Sequence, residues 1–484
     1  MVLARNIVVG VTGRIPEQAI LVSRLASPES ELIAIYGRRR VGKTFLVRTF
    51  CKNSIVFEFT GIHEASMKVQ LENFSQALRQ ATKSVVALRV PLSWLEAFGM
   101  LDGFLDSLAP DKPAVIFLDE FPWIDTHKSG FLSAFDHWWN ASASRKAHLK
   151  VIISGSAASW MIDKIINNRG GLHNRVTQTI RLLPFTLQET QVYLQRKGIV
   201  LDHFSLIQLY MAIGGIPYYL RNIKPGESMA QIIDRLCFAK DGPLKNEFHN
   251  LYKSLFAHSE NHERVIRTLA AKGMGLNRNE IIKACGFSSG GSTSRILQEL
   301  EESGFITPYI PFQKQANDSL YKLSDEYSLF YLKFIEHARD IAPGAWLRKF
   351  GSPAYISWSG FSFESVCQKH VLQIRRKLGI EGVLTSVSTW RHVADEEGPG
   401  AQIDLLLDRQ DRAINICEMK FSSDEFLIDK KYAAELDQKV SVFRRETQTK
   451  KTIFPTLVTT YGARKNEHYL GRIQAEVGME DLFG

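Results

Sequence analysis

Two hydrophobic rhythms alternate in the first third of the chain. Short unbroken apolar runs, Leu32-Ile33-Ala34-Ile35-Tyr36, Ala114-Val115-Ile116-Phe117-Leu118 and Val151-Ile152-Ile153, read as strands buried on both faces. Between them, residues 66–80 and 130–141 carry helical spacing. Strands separated by helices predict a parallel sheet covered on both sides, an α/β arrangement.

From residue 187 to about 256 the pattern is helical, with Thr186 and Glu189 forming a capping box at its start. Three helices are then expected over 263–271, 277–285 and 292–303, the second capped by Asn277 and Glu280 and the third stopped by Gly304. Strands over 305–312 and 320–323, joined by the polar loop 313–318, would complete a winged helix-turn-helix. Pro343-Gly344 and Gly351-Ser352-Pro353 suggest a linker. Beyond it come a helical stretch, 361–378, and two strands, 401–408 and 413–421, turning at Asp411.

The chemistry concentrates at two places. Gly37-Arg38-Arg39-Arg40-Val41-Gly42-Lys43-Thr44 matches the phosphate-binding pattern G-x-x-x-x-G-K-[ST] between a strand and a helix. There the backbone N–H groups and the helix N-terminus attract phosphate oxygens. Lys43 would reach the β/γ-phosphates of ATP, and the Thr44 hydroxyl would ligate Mg²⁺. Asp119 and Glu120 end the second apolar run. Asp119 would orient water on Mg²⁺, and Glu120 would polarise the attacking water. Ser154, at the end of the third run, offers a hydroxyl to sense the γ-phosphate.

The second place is the hairpin. Asp404 and Glu418 are each seven positions from Asp411, so they should lie opposite one another, with Lys420 on the same face. Facing carboxylates in an apolar sheet are destabilising without a positive group between them. A divalent metal held by Asp404 and Glu418 resolves the conflict and would suit phosphodiester cleavage.

These motifs carry a family resemblance. Val11-Thr12-Gly13-Arg14-Ile15-Pro16-Glu17 looks like the box that precedes the phosphate loop in AAA+-related ATPases. The phosphate loop, Asp119-Glu120-Phe121-Pro122-Trp123-Ile124, Ser154-Gly155-Ser156 with Ser159-Trp160-Met161, and Gly214-Gly215-Ile216-Pro217-Tyr218-Tyr219 resemble the archaeal-type ATPase family of the STAND/AAA+ neighbourhood. The resemblance implies that Pro217 couples a helical lid to nucleotide state. It also implies an arginine reaching a neighbouring subunit's γ-phosphate, with Arg169, Arg175 and Arg181 as candidates and Arg175 fitting best.

Asp404 with Glu418-Met419-Lys420 resembles the PD-(D/E)xK nuclease core, with Ile403 where that motif has proline. Glu364 matches its extra helical carboxylate, and Lys431 and Gln438 fall on its following helix. The expected architecture is an AAA+-like P-loop parallel sheet (1–183), a helical lid (184–258), a winged helix-turn-helix (259–345) and an α/β restriction-endonuclease-like domain (346–484).

Charge and composition modify this picture modestly. A net charge of +9 over 484 residues favours polyanionic partners. On the third helix of the winged fold, Ser292, Thr293, Ser294, Arg295 and Gln298 would face DNA, with Lys314 on the wing, whereas Glu299, Glu301 and Glu302 would be repelled. Five scattered cysteines argue against a disulfide framework or zinc knuckle. No apolar stretch approaches ~18 residues, and residues 7–11 are too short for a signal segment, so a cytoplasmic location and no membrane partner are expected. The leading expectation is an ATPase that processes or binds DNA, with Mg²⁺, or Mn²⁺ at the C-terminal site, and with homo-oligomers as a further partner. The alternatives are a STAND-type assembly switch that does not cut and a non-enzymatic DNA-binding regulator.

Overall fold

The computed structural model describes residues 10–484 except 110–111, 167–173, 257, 274, 289–290, 339–343, 395 and 397, and excepting the side chains at 158 and 159. Two compact units result, Met1–Pro184 and Phe185–Gly484.

The first unit is built on five parallel strands, β1 (Glu31–Tyr36), β2 (Ile55–Thr60), β3 (Ala114–Asp119), β4 (Leu149–Gly155) and β5 (Gln178–Arg181), in the order β2-β3-β4-β1-β5. The three expected strands are β1, β3 and β4. Every residue of β3 and β4 is buried, which is why their sequence is apolar without alternation. β4 lies between β1 and β3. β2 and β5 lacked an equally clear signal, because their exposure alternates or their run is short. Helices Met67–Thr82, Trp94–Leu105 and Phe131–Ala141 join the core. Phe74, Trp94, Phe98 and Phe131 interlock there at tilted or edge-on angles, with Phe98 and Trp138 stacked at 5.1 Å. Fully burying one such ring stabilises the fold by about 1.5–3 kcal/mol.

The second unit begins with five helices between Leu187 and Leu255, the first carrying the Thr186–Glu189 capping box. Helices Ser259–Lys272, Arg278–Cys285 and Gly291–Glu302 follow. Asn277 and Glu280 cap the second reciprocally. A three-stranded antiparallel sheet, β6 (Leu276–Asn277), β7 (Ile306–Tyr309) and β8 (Leu320–Leu323), has the order β6-β8-β7. The expected strand over 305–312 is therefore shorter. Its continuation leaves this sheet: Pro311 bridges to Thr389, and the Phe312 N–H donates to the Thr389 carbonyl at 2.8 Å.

Of the expected linker, Pro343 lies outside the described residues, and residues 344–353 form a packed segment. Trp346 is 1% exposed among Phe238, Phe330, Phe334 and Trp358, and Ser352 caps the helix Pro353–Lys369. Burial of that indole removes the freedom a linker needs. A shorter helix, Val371–Lys377, continues the helical stretch.

Last comes a mixed sheet of β9 (Thr385–His392), β10 (Ala401–Arg409), β11 (Ala413–Lys420), β12 (Thr452–Thr459) and β13 (Ala475–Val477), ordered β13-β12-β11-β10-β9. β9, β10 and β11 pair antiparallel, and β11, β12 and β13 pair parallel. The helix Lys430–Thr447 buries Val442 and Phe443 against Trp390, Ile403, Leu406, Ile414 and Ile416. Phe312 packs on this cluster, 5.4 Å from the Phe443 ring. All five cysteines are free and buried. No helix among the described residues is long and apolar enough to cross a membrane.

Candidate functional sites: a phosphate loop and an acidic pocket

The loop from Gly37 to Thr44 connects β1 to the helix Lys43–Phe50. Gly37 has φ 145°, and a Cβ there would stand 2.3 Å from the Leu182 carbonyl oxygen. Gly42 has φ 98° at the helix cap. Both positions therefore need glycine. Arg40 takes a left-handed φ of 74°. Arg14, 4% exposed, donates to the Val41 carbonyl at 3.2 Å, tying the preceding box to the loop. The Arg38 side chain lies inside the fold, and the Arg39 guanidinium sits 4.9 Å from the Trp123 ring centre.

Lys43 is 6% exposed and folds back on its own loop, donating to the Gly37 and Arg38 carbonyls at 2.8 and 3.1 Å. Burial lowers its pKa to about 8 against the opposing pull of Glu120 and Asp119. The Thr44 hydroxyl donates to Asp119 Oδ2 at 2.7 Å, and Ser154 hydrogen-bonds Asp119 Oδ1. Glu120 takes φ 46° just past β3, and its Oε2 accepts from the Ser156 N–H and hydroxyl at 3.1 and 2.8 Å. Adjacent strands β3 and β4 thus bring Asp119, Glu120, Ser154 and Ser156 together. The hydroxyl and carboxylate of Thr44 and Asp119 are hard oxygen donors of the kind magnesium takes beside a phosphate. Arg175 lies in an exposed turn before β5, Arg181 ends β5, and Arg169 and His173 fall outside the described residues.

In the second unit, Gly214 has φ 65°, and a Cβ on Gly215 would stand 2.0 Å from the Phe185 carbonyl oxygen. Those two glycines permit close backbone packing at the start of the unit. Pro217 opens the short helix Pro217–Leu220.

The hairpin register runs from Asp408↔Ile414 to Leu405↔Cys417, and Asp404 and Glu418 are the next residues along the two strands. Both line a cavity of about 310 Å³ shared with Glu364, Lys420, Gln438 and Lys439. Ammonium groups already answer the two carboxylates. Asp404 Oδ1 accepts from Lys322 Nζ at 3.3 Å and from Gln402 Nε2 at 2.7 Å. Glu418 Oε1 pairs with Lys439, and its Oε2 accepts from the Tyr432 hydroxyl at 3.2 Å. Lys420 lies over the Tyr432 ring at 5.0 Å. Burial, then the Asp404 charge, raises the Glu364 pKa to about 8, with Lys322 and Lys420 offsetting part of the effect. Among the described residues no three His, Cys, Asp or Glu side chains form a metal-holding group. Lys431 is exposed and pairs with Glu435 at 4.0 Å.

Sequence reasoning missed Lys322, Tyr432 and Lys439. The last two had a signal: Tyr432, Glu435 and Lys439 share a helix face at spacings of three and four. Lys322 had none, since it reaches Asp404 only through tertiary packing.

The proposed DNA-facing helix needs two corrections, at Thr293 and at Glu299. Thr293 is fully buried in the helix's core face and cannot meet a base or phosphate. Ser292, Ser294, Arg295 and Gln298 are exposed, although Ser294 accepts from Arg278 and Arg295 pairs with Glu299. Glu299 is itself buried, 2.6 Å from His262 Nε2, so it belongs to the core and not to a repulsive surface. Lys314 is exposed beside the docked Phe312.

A five-stranded parallel sheet with a glycine loop before a helix, and a carboxylate strand separated from it by one strand, defines the first unit as a P-loop nucleotide-binding fold. Residues 14–223 match a family described as an ATPase domain predominantly from Archaea. The chain is 25% identical over 409 residues to the uncharacterized protein MJECL04 of Methanocaldococcus jannaschii, covering 84% of this chain and 86% of that one. Among solved structures, the Walker-type ATPase PABY2304 of Pyrococcus abyssi aligns with TM-score 0.49 and 17% identity, over 66% of this chain and 96% of its own. The ORC2 protein of Aeropyrum pernix aligns with TM-score 0.43 and 16% identity, over 72% and 98%.

Proposed function

We propose that this protein binds and hydrolyses ATP in its first unit and cleaves nucleic acid at the acidic pocket of its second. For ATP, Gly37 to Thr44 would surround the phosphates, and Thr44 and Asp119 would hold magnesium. A bound magnesium ion would supply positive charge to the phosphate oxygens. Glu120, once released from Ser156, would take the proton of the attacking water. Ser154 holds Asp119 in orientation. Arg175, exposed before β5, would reach the γ-phosphate of a neighbouring copy, and Pro217 would couple the helical lid to nucleotide state. Nucleotide binding that survives Lys43→Ala unchanged would refute this site.

The nuclease reading rests on one observation: Asp404 and Glu418 line one cavity together with Glu364 and Lys420. Two carboxylates beside a lysine suit a magnesium or manganese ion and a phosphodiester substrate. The net charge of +9 supports a nucleic-acid partner, and Ser292, Ser294, Arg295 and Gln298 offer a second contact through a winged-helix module. Incubation with plasmid and branched DNA in Mg²⁺ or Mn²⁺ tests it. Cleavage by the wild type that persists in Glu418→Ala and Lys420→Ala would sink the assigned pocket.

A second reading, a nucleotide-dependent assembly switch that does not cut, is favoured by the ammonium partners on both carboxylates. Retained nucleotide, negligible turnover and an ATP-dependent rise in mass would support it over cleavage.

A further inference from the structure

We infer that Lys322 is an internal lock on the acidic pocket, competing with a divalent cation for Asp404. The inference rests on the cation-binding reading of that pocket. Lys322 belongs to β8, in the small antiparallel sheet, and reaches a carboxylate of β10, in the large mixed sheet. The two residues are 82 positions apart in sequence. The lysine is 7% exposed, and its ammonium lies 3.3 Å from Asp404 Oδ1. It also lines a crevice with Glu364, Gln368 and Tyr309, whose ring centre is 5.6 Å from the ammonium.

A buried ammonium is costly unless it is paired, so Asp404 offsets part of what Lys322 loses in hydration. The carboxylate benefits as well, because it shares its pocket with Glu418 and Glu364. Each acid therefore has a cation already. Lys439 belongs to the helix that covers the large sheet, whereas Lys322 arrives on a separate element.

That element is held by its own anchor. The segment after β7 crosses to the edge strand β9, where Phe312 hydrogen-bonds Thr389 and packs near Phe443. Gln313 Nε2 donates to the Thr447 carbonyl at 3.2 Å. Docking of this hairpin and insertion of Lys322 are thus one structural event. A metal dication entering between Asp404 and Glu418 would meet a resident positive charge a few ångströms away. Coulomb repulsion in a half-buried site opposes its entry. Withdrawal of the hairpin would remove that charge and leave a site that demands a cation. The pocket is then a switch whose two ligands are an ammonium on β8 and a divalent ion.

The test is Mn²⁺ titration of the full chain, followed by the electron paramagnetic resonance of free Mn²⁺, without nucleotide and with Asp119→Asn in the background to silence the metal site of the phosphate loop. Lys322→Met should bind Mn²⁺ about tenfold more tightly than the parent, within the range of ordinary intramolecular coupling. Adding Asp404→Asn should abolish the gain. Phe312→Ser, which weakens the anchor but keeps the lysine, should give a gain of the same sign, and Lys322→Arg should behave as the parent. Unchanged affinity in both Lys322→Met and Phe312→Ser, with a parent that binds through Asp404, would overturn the lock while leaving the cation site standing. Weaker binding in Lys322→Met would make Lys322 a builder of the site and also overturn it. Absence of Asp404-dependent binding in every variant would remove the cation site and the lock together.

Discussion

Glu120 is tethered to Ser156: its Oε2 accepts from both the backbone N–H, at 3.1 Å, and the hydroxyl, at 2.8 Å. The tether spans two adjacent strand ends, so it depends on the β3–β4 pairing. A carboxylate engaged twice is less available to accept a proton from water. Glu120→Gln should leave ATP binding intact and lower turnover by about 10²–10⁴-fold, the usual weight of a general base. Ser156→Ala should remove the hydroxyl bond alone and raise turnover by about fivefold, matching a bond worth about 1 kcal/mol. Phosphate release at saturating ATP measures both, and a Ser156→Ala rate below wild type would make the serine a support for catalysis.

Lys43 gives the nucleotide site a pH dependence. Its pKa is lowered to about 8 by burial, so the free protein holds a charged Lys43 below that pH and loses it above. Anionic phosphates favour the charged form. ATP affinity should therefore be flat below pH 8 and weaken as pH rises beyond it. Calorimetry in buffers of different ionisation enthalpy should find proton uptake on binding near pH 8–9, because the phosphates raise the lysine pKa again. Uptake that persists in Lys43→Met would assign the proton elsewhere.

Glu364 shifts the other way. Its ordinary pKa of 4.5 is raised to about 8 by burial and by Asp404. Between these values the folded state binds more protons than the unfolded chain. This contribution to stability is full below pH 4.5 and is lost as pH rises to 8. Glu364→Gln keeps the neutral shape without the titration. Thermal melts should therefore show a smaller pH dependence in Glu364→Gln across that window and a higher midpoint than wild type at pH 8.

On the helix Gly291–Glu302 the exposed and buried positions make separable predictions. Arg295→Ala and Gln298→Ala should weaken DNA binding and flatten its salt dependence while changing the melting temperature little. Thr293→Val should leave DNA binding unchanged, because that side chain is fully buried and its hydroxyl has no hydrogen-bond partner among the described residues. Replacing it with a methyl group removes a buried polar atom, so stability should hold or rise. Fluorescence anisotropy with a labelled duplex and a melting curve distinguish the two classes.

Much of the first unit was legible because β1, β3 and β4 are buried on both faces and the phosphate loop needs particular residues at particular steps. The hairpin was legible too: its pairing up to Leu405↔Cys417 follows from counting outward from the turn, since antiparallel register is arithmetic once the turn is known. Thr293 was misplaced because a helix face was assigned from its position after a turn, whereas it shares the buried face of its helix with Ile296, Leu297 and Leu300. The linker was misread because Gly and Pro mark a break in regular structure without saying whether a residue such as Trp346 is buried there.

Local chemistry along the chain determined the phosphate loop, its partner carboxylates and the hairpin acids, because each depends on neighbours a few positions away or on strand alternation. Only tertiary structure decided which cations answer those acids. Lys322 and Asp404 lie on elements whose separation in sequence carries no periodic signal. Their meeting follows from the docking of Phe312 on a distant core, an event set by shape and burial rather than by spacing.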